Sequence, residues 1–139
     1  GMRGMYSNRR GYGTDNQTFI ENVNNEILTV ILIEEVKAVE NLDEILSVDH
    51  IDVFFVAPGD LAQTMGYPGQ MYHPEAKKLV RETLERIVAS GRTAGSIVGE
   101  ETFETHMEIG VKFFFTVYDH WLRAGANAYL EKAKTLENK

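Results

Sequence analysis

The sequence predicts an α/β fold in which four strands alternate with helices as successive βα units. Nearly uniform apolar runs recur at Ile27–Ile33, Ile51–Ala57, Thr93–Val98 and Lys112–Tyr118, with helix-period segments between them. Strands apolar on both faces belong to parallel sheets covered by helices. A carboxylate also follows each of the first two runs: Glu34 directly, and Asp60 after Pro58 and Gly59. In parallel α/β proteins the functional site forms where strands end, because the loops there converge on one face. Four βα units make either a small open sheet or half of an eight-unit barrel, which typically needs about 250 residues. Periodicity alone does not choose between them.

The elements follow in order. Residues 1–25 form an irregular leader, with three glycines and three arginines between Met2 and Gly13. Within it, Thr18–Asn25 has the spacing of a short helix. Gly1 ahead of Met2 reads as a remnant of tag cleavage, with Met2 as the encoded start. The run Ile27–Ile33 is too uniformly apolar for a half-exposed strand. Glu35–Ser47 carries Val36, Val39, Leu42, Ile45 and Leu46 at helical spacing, predicting one helix. Gly59–Met65 predicts a short helix and Gly66–Gly69 a turn. His73, Pro74 and Glu75 open a strong helix, with proline in the first turn, where no amide donor is needed. Its stripe is Ala76, Leu79, Val80, Leu84, Ile87 and Val88, and Gly91 ends it. The third and fourth strands are each followed by a helix, Glu101–Ile109 and Trp121–Leu136. The three phenylalanines from Phe113 to Phe115, and Trp121, are expected in a core or an interface.

Composition narrows the function. With 139 residues the chain is one domain able to bury a core. Its 14 basic against 21 acidic residues exclude a general nucleic-acid binder. It has no cysteine, so disulfides and thiolate metal sites are absent, and a cytoplasmic location is expected. No apolar run approaches the roughly 20 residues of a membrane span.

Two carboxylates on neighbouring strand ends are placed to share a hard divalent cation. Their residue context carries a family likeness. Leu32-Ile33-Glu34, Ala38–Leu42 and Phe55–Leu61, then Met65-Gly66, Gly69, His73–Glu75, Gly91, Ala94-Gly95, Gly110 and Asp119, together resemble the HpcH/HpaI aldolase family. That family is typified by 2,4-dihydroxyhept-2-ene-1,7-dioate aldolase and is related to the citrate lyase β subunit. The Arg3-Gly4 pair resembles the family's Arg-Gly loop.

The resemblance implies a (β/α)8 TIM barrel of which residues 26–139 form the C-terminal half. It implies a class II pyruvate aldolase, a lyase that cleaves a 4-hydroxy-2-oxo acid to pyruvate and an aldehyde. Glu34 and Asp60 would hold Mg²⁺ or Mn²⁺, and backbone at Ala57, Pro58 and Gly59 would lie against the pyruvate-like 2-oxo acid. The family's catalytic histidine and substrate arginine come from the other half of the barrel, so no catalytic residue is assigned here. Leu32 stands where the family usually has glutamine, Tyr118 where it often has glycine, and His120 where it often has threonine. The C-terminal helix, Trp121–Leu136, would pack on a neighbouring subunit.

Plainer readings stand beside these. Either carboxylate is also an ordinary strand-end or helix-capping group, and Asp60 suits a cap for the helix after it. Glu35 reads as a helix-start carboxylate. His73 reads as shaping its helix entry, His50 leads a strand from the far face, and His106 lies inside a helix. Only His120 falls on the same end of the strands as Glu34 and Asp60. Arg3, Arg9 and Arg10 are suited to a substrate carboxylate or to solvent. Two functions therefore remain open: an aldolase, or a catalytically incomplete metal-binding or assembly remnant, including one half of a split enzyme. A half barrel has two unpaired edges, Ile27–Ile33 and Lys112–Tyr118, and is expected to complete itself as a homo-oligomer.

Overall fold

The computed structural model describes residues 15–137, so Arg3, Gly4, Arg9, Arg10 and the rest of the leader's loop lie outside the described residues. Four parallel strands, β1 (Val30–Ile33), β2 (Val53–Val56), β3 (Ala94–Ile97) and β4 (Phe113–Phe115), make one sheet in sequence order. The seven helices described are α1 (Asn16–Glu26), α2 (Val36–Glu40), α3 (Leu42–Leu46), α4 (Pro58–Thr64), α5 (Pro74–Ala89), α6 (Glu100–Ile109) and α7 (Asp119–Glu137). Parallel neighbours joined by helical crossovers give the α/β architecture expected from the strand pattern.

The sheet's two faces have different fates. Ile33, Phe54, Val56 and Ala94 point into the helix layer and pack with Val39, Leu42, Leu61, Val80, Leu84 and Ile87. Alternation puts Val30, Leu32, Phe55, Gly95, Phe113 and Phe115 on the other face. There the Phe55 ring meets Phe113 and Phe115 edge-on, with centroids 6.2 and 6.5 Å apart. Leu32 and Phe115 are nevertheless about half exposed, at 55% and 50%.

This corrects the expectation for the first strand. Val30 and Leu32 are exposed, as are Ile27 and Leu28 ahead of the strand. The run is a sheet edge, and no described element covers its second face. The last segments, expected in a core or an interface, are not packed into a core within the described chain. Phe113 and Phe114 are half-buried, while Phe115 and Trp121 are exposed. Every side chain from Asp119 to Leu136 is exposed, because α7 stands apart from the core.

The segment Glu35–Ser47 is two helices instead of one. Asn41 has φ −96° and ψ 17°, and its side-chain amide donates to the Lys37 carbonyl at 2.8 Å. An asparagine bonding its own preceding turn competes with helix continuation. Arg86 then locks the pair to α5, donating to the Val39 carbonyl at 3.1 Å and to Asp43 at 2.9 Å. At the opposite end of the sheet from Glu34, Arg92 donates to the Val48 carbonyl at 2.6 Å and lies over the Phe54 ring.

Candidate functional site

The site is built where β1 and β2 end side by side. Ile33 is in register with Val56, and the Ala57 amide donates to the Ile33 carbonyl at 3.1 Å. Glu34 therefore leaves β1 beside the point where Ala57 leaves β2. Ala57 is the N-cap of α4, Pro58 begins the helix, and Asp60 falls in its first turn. Asp60 does not cap the helix, since no side chain does so there. Its charge instead lies within the amide-rich first turn, which favours an anion.

Glu34 is half-buried and Asp60 exposed, and neither carboxylate bonds another described residue. Both keep their lone pairs available. Gly59 needs neither a positive φ nor a tight contact, because a Cβ there would meet nothing within 4 Å. The backbone at residues 57–59 is thus open to close approach.

Hard oxygen donors without competing partners fit Mg²⁺ or Mn²⁺, which take carboxylates and keep positions for other oxygens. The pair is not a full protein cage. Among the described residues no group of three or more His, Cys, Asp or Glu is placed to hold a metal ion. Glu35 sits at the start of α2, exposed and with no capping bond of its own.

The histidines separate sharply. His73 caps α5, its Nδ1 accepting from the Glu75 amide at 3.3 Å, and its ring stacks on Tyr67 at 3.6 Å. His50 is exposed with φ 61°, a turn residue away from the site. His120 is exposed in the first turn of α7.

His106 was not singled out by residue pattern, yet it is 7% exposed and neither ring nitrogen has a hydrogen-bond partner. Burial pushes its pKa below the ordinary value, and the nearby Thr102 carbonyl opposes this only partly. Its signal was the 102, 106, 109 spacing, which faces inward, whereas Phe103 and Met107 face out. His106 also forms part of the wall of a cavity of about 460 Å³ between α5 and α6, which reaches the strand ends at Pro58, Val98 and His120.

The parallel α/β strand order fits the likeness noted above. The family model for HpcH/HpaI aldolase/citrate lyase matches residues 2–112. The chain belongs to this family. A hydroxypyruvate/pyruvate aldolase of Cupriavidus necator is 31% identical over 129 residues, covering 91% of this chain and 48% of that protein. A 2-keto-3-deoxy-L-rhamnonate aldolase of Klebsiella pneumoniae is 38% identical over 79 residues, covering 57% of this chain and 30% of that protein. An HpcH/HpaI family structure from Burkholderia cenocepacia superposes with TM-score 0.76 at 20% identity, over 85% of this chain and 47% of that one. The HpcH/HpaI chain thus spans half or less of the curated relatives it matches. Among its described residues, no helix is long and apolar enough to cross a membrane.

Proposed function

We propose that this chain supplies the metal- and pyruvate-binding half of a divalent-metal-dependent aldolase cleaving a 4-hydroxy-2-oxo acid to pyruvate and an aldehyde. The observation that carries this reading is the pair Glu34 and Asp60, unpartnered on adjacent strand ends, in a chain whose relatives are aldolases. Glu34 and Asp60 would hold Mg²⁺ or Mn²⁺. The ion would supply Lewis-acid stabilisation of the negative charge that develops on the 2-oxo oxygen as the carbon–carbon bond breaks. The open backbone at Ala57, Pro58 and Gly59 would seat the pyruvate portion, with Pro58 fixing where α4 begins. No described residue is assigned to take the 4-hydroxyl proton, so the base comes from elsewhere in the assembled enzyme.

A second reading has its own support. Among the described residues the metal set stops at two carboxylates, and the adjoining sheet face is open. Both suit an incomplete fragment that binds metal or assembles without catalysing. Titration calorimetry with Mg²⁺ and Mn²⁺, with and without oxalate, tests the metal site common to both. Weak binding strengthened by oxalate is expected, and it should vanish in Glu34→Ala/Asp60→Ala. Identical heats for parent and variant would overturn the site. Pyruvate release from a 4-hydroxy-2-oxo acid then separates enzyme from remnant.

The same reading includes self-association. Among the described residues the sheet has two free edges, β1 and β4, and an apolar second face. A second copy related by a two-fold axis would lay its β4 beside β1 and its β1 beside β4. That would give eight parallel strands with no edge left, the (β/α)8 barrel whose half this chain would be.

A further inference from the structure

Cleavage of a 4-hydroxy-2-oxo acid needs a group to take the 4-hydroxyl proton, and histidine is the side chain best suited to that near neutral pH. The chain has four histidines. Three are engaged elsewhere: His73 caps α5 and stacks on Tyr67, His106 is buried, and His50 is a turn residue away from the site. His120 is exposed, in the first turn of α7. Its place after β4 is that of Asp60 after β2, since each lies in the first turn of the helix that follows its strand.

Within one chain that place is remote from Glu34. β1 and β4 are opposite edges of the sheet, three strand spacings or about 14 Å apart. The α5–α6 cavity, whose wall includes His120, reaches the site only at Pro58. Closing two copies into a barrel changes the neighbour. The partner's β4 then lies one spacing, about 5 Å, from β1 on the side away from β2. All the strands are parallel, so that β4 ends where β1 ends. Glu34 then stands between Asp60 of its own chain and His120 of the partner subunit. Every side chain from Asp119 to Leu136 is exposed, so packing within the chain does not commit this turn.

We propose that His120 of the partner subunit is the catalytic base of each site, an inference that rests on the two-copy barrel and on the aldolase reading. A ring nitrogen takes the 4-hydroxyl proton as the C3–C4 bond breaks. The bonding pair moves onto the 2-oxo group to give the enolate of pyruvate, and C4 with its oxygen leaves as the aldehyde. The proton held by the ring then passes to C3, which completes pyruvate.

The test is complementation between copies. Glu34→Ala/Asp60→Ala and His120→Ala chains are co-expressed with different affinity tags, and the mixed dimer is isolated through both tags. Each homodimer lacks part of every site, whereas the mixed dimer holds one complete site. It should release pyruvate from 4-hydroxy-2-oxopentanoate at about half the parent rate per dimer. The His120→Ala homodimer should lose about 100-fold or more, the share of a general base. Its loss should be much smaller with oxaloacetate, whose decarboxylation passes through the same enolate with no hydroxyl proton to remove. Equal losses on the two substrates would mark a structural role and overturn the proposal. A mixed dimer no more active than its homodimers, beside an active parent, would overturn it and leave the aldolase reading standing. An inactive parent would overturn both readings, and tagged copies that fail to co-purify would overturn the two-copy barrel and this proposal with it.

Discussion

Gly95 sits on the open face of the sheet, where a Cβ would come within 2.9 Å of Val53, 3.0 Å of Phe55 and 3.1 Å of Phe113. The glycine lets the two rings close over the middle of β3. Gly95→Ala is expected to destabilise by about 1–3 kcal/mol, the usual range for overpacking, because the Val53 and Phe55 side chains it would meet are themselves buried. Urea denaturation reads this directly, and an unshifted midpoint would mean the rings move freely. His106 makes a pH-dependent statement. Its folded pKa is below the ordinary 6.5, so the unfolded chain binds a proton more readily than the folded chain does. Its effect is nil at high pH, where both states are neutral, and stability falls as pH drops through about 6.5. The stability loss between pH 7.5 and 5.5 should be smaller in His106→Gln than in the parent. Equal losses would show that the ring protonates in place.

At the scale of elements, α5 is the organiser, packing against α4, α6, β2 and β3. Its Arg86 reaches across to α2 and α3, where it satisfies the Val39 carbonyl at the point where one helix becomes two. Arg86→Ala removes the charged donor to that carbonyl and also loses the pair with Asp43, which is largely exposed and adds little. A loss of about 1–2 kcal/mol is expected from the carbonyl. Amide exchange should quicken in Val36–Leu46 before it does in β2 or β3. Uniform quickening would mean that the contact has no local role. The opposite case is α7, whose Trp121, Leu122, Tyr129 and Leu130 face solvent, so its position owes little to contacts within this chain.

For the whole molecule, the open face and free edges predict self-association. Light scattering coupled to size exclusion should give a multiple of 15.7 kDa. Leu32→Lys/Phe115→Lys places charges on the exposed second face, away from the buried core. This variant should shift the population to monomer while leaving the helix signal in place. A parent that remains monomeric at micromolar concentration would falsify barrel completion by a second copy.

What the sequence determined by itself was local order and its punctuation. Uniform apolar runs and the 3.6-residue period separated strands from helices, Pro74 and Gly91 bracketed α5, and His73 was readable as its entry residue. The placing of Glu34 and Asp60 just beyond β1 and β2 followed from chain position alone. Burial is different in kind, because it depends on what other segments bring to each face. The run Ile27–Ile33 looks internal by composition, yet as an edge strand it exposes Val30 and Leu32. Likewise His106 looks like any polar helix residue until α5 and α6 close around it, leaving its nitrogens unpaired. Asn41 fits a continuous helical stripe, and only its bond to the Lys37 carbonyl reveals the break. Those outcomes were set by tertiary packing, since the partners that bury, expose or bend a residue lie far from it in sequence or depend on how the chain turns.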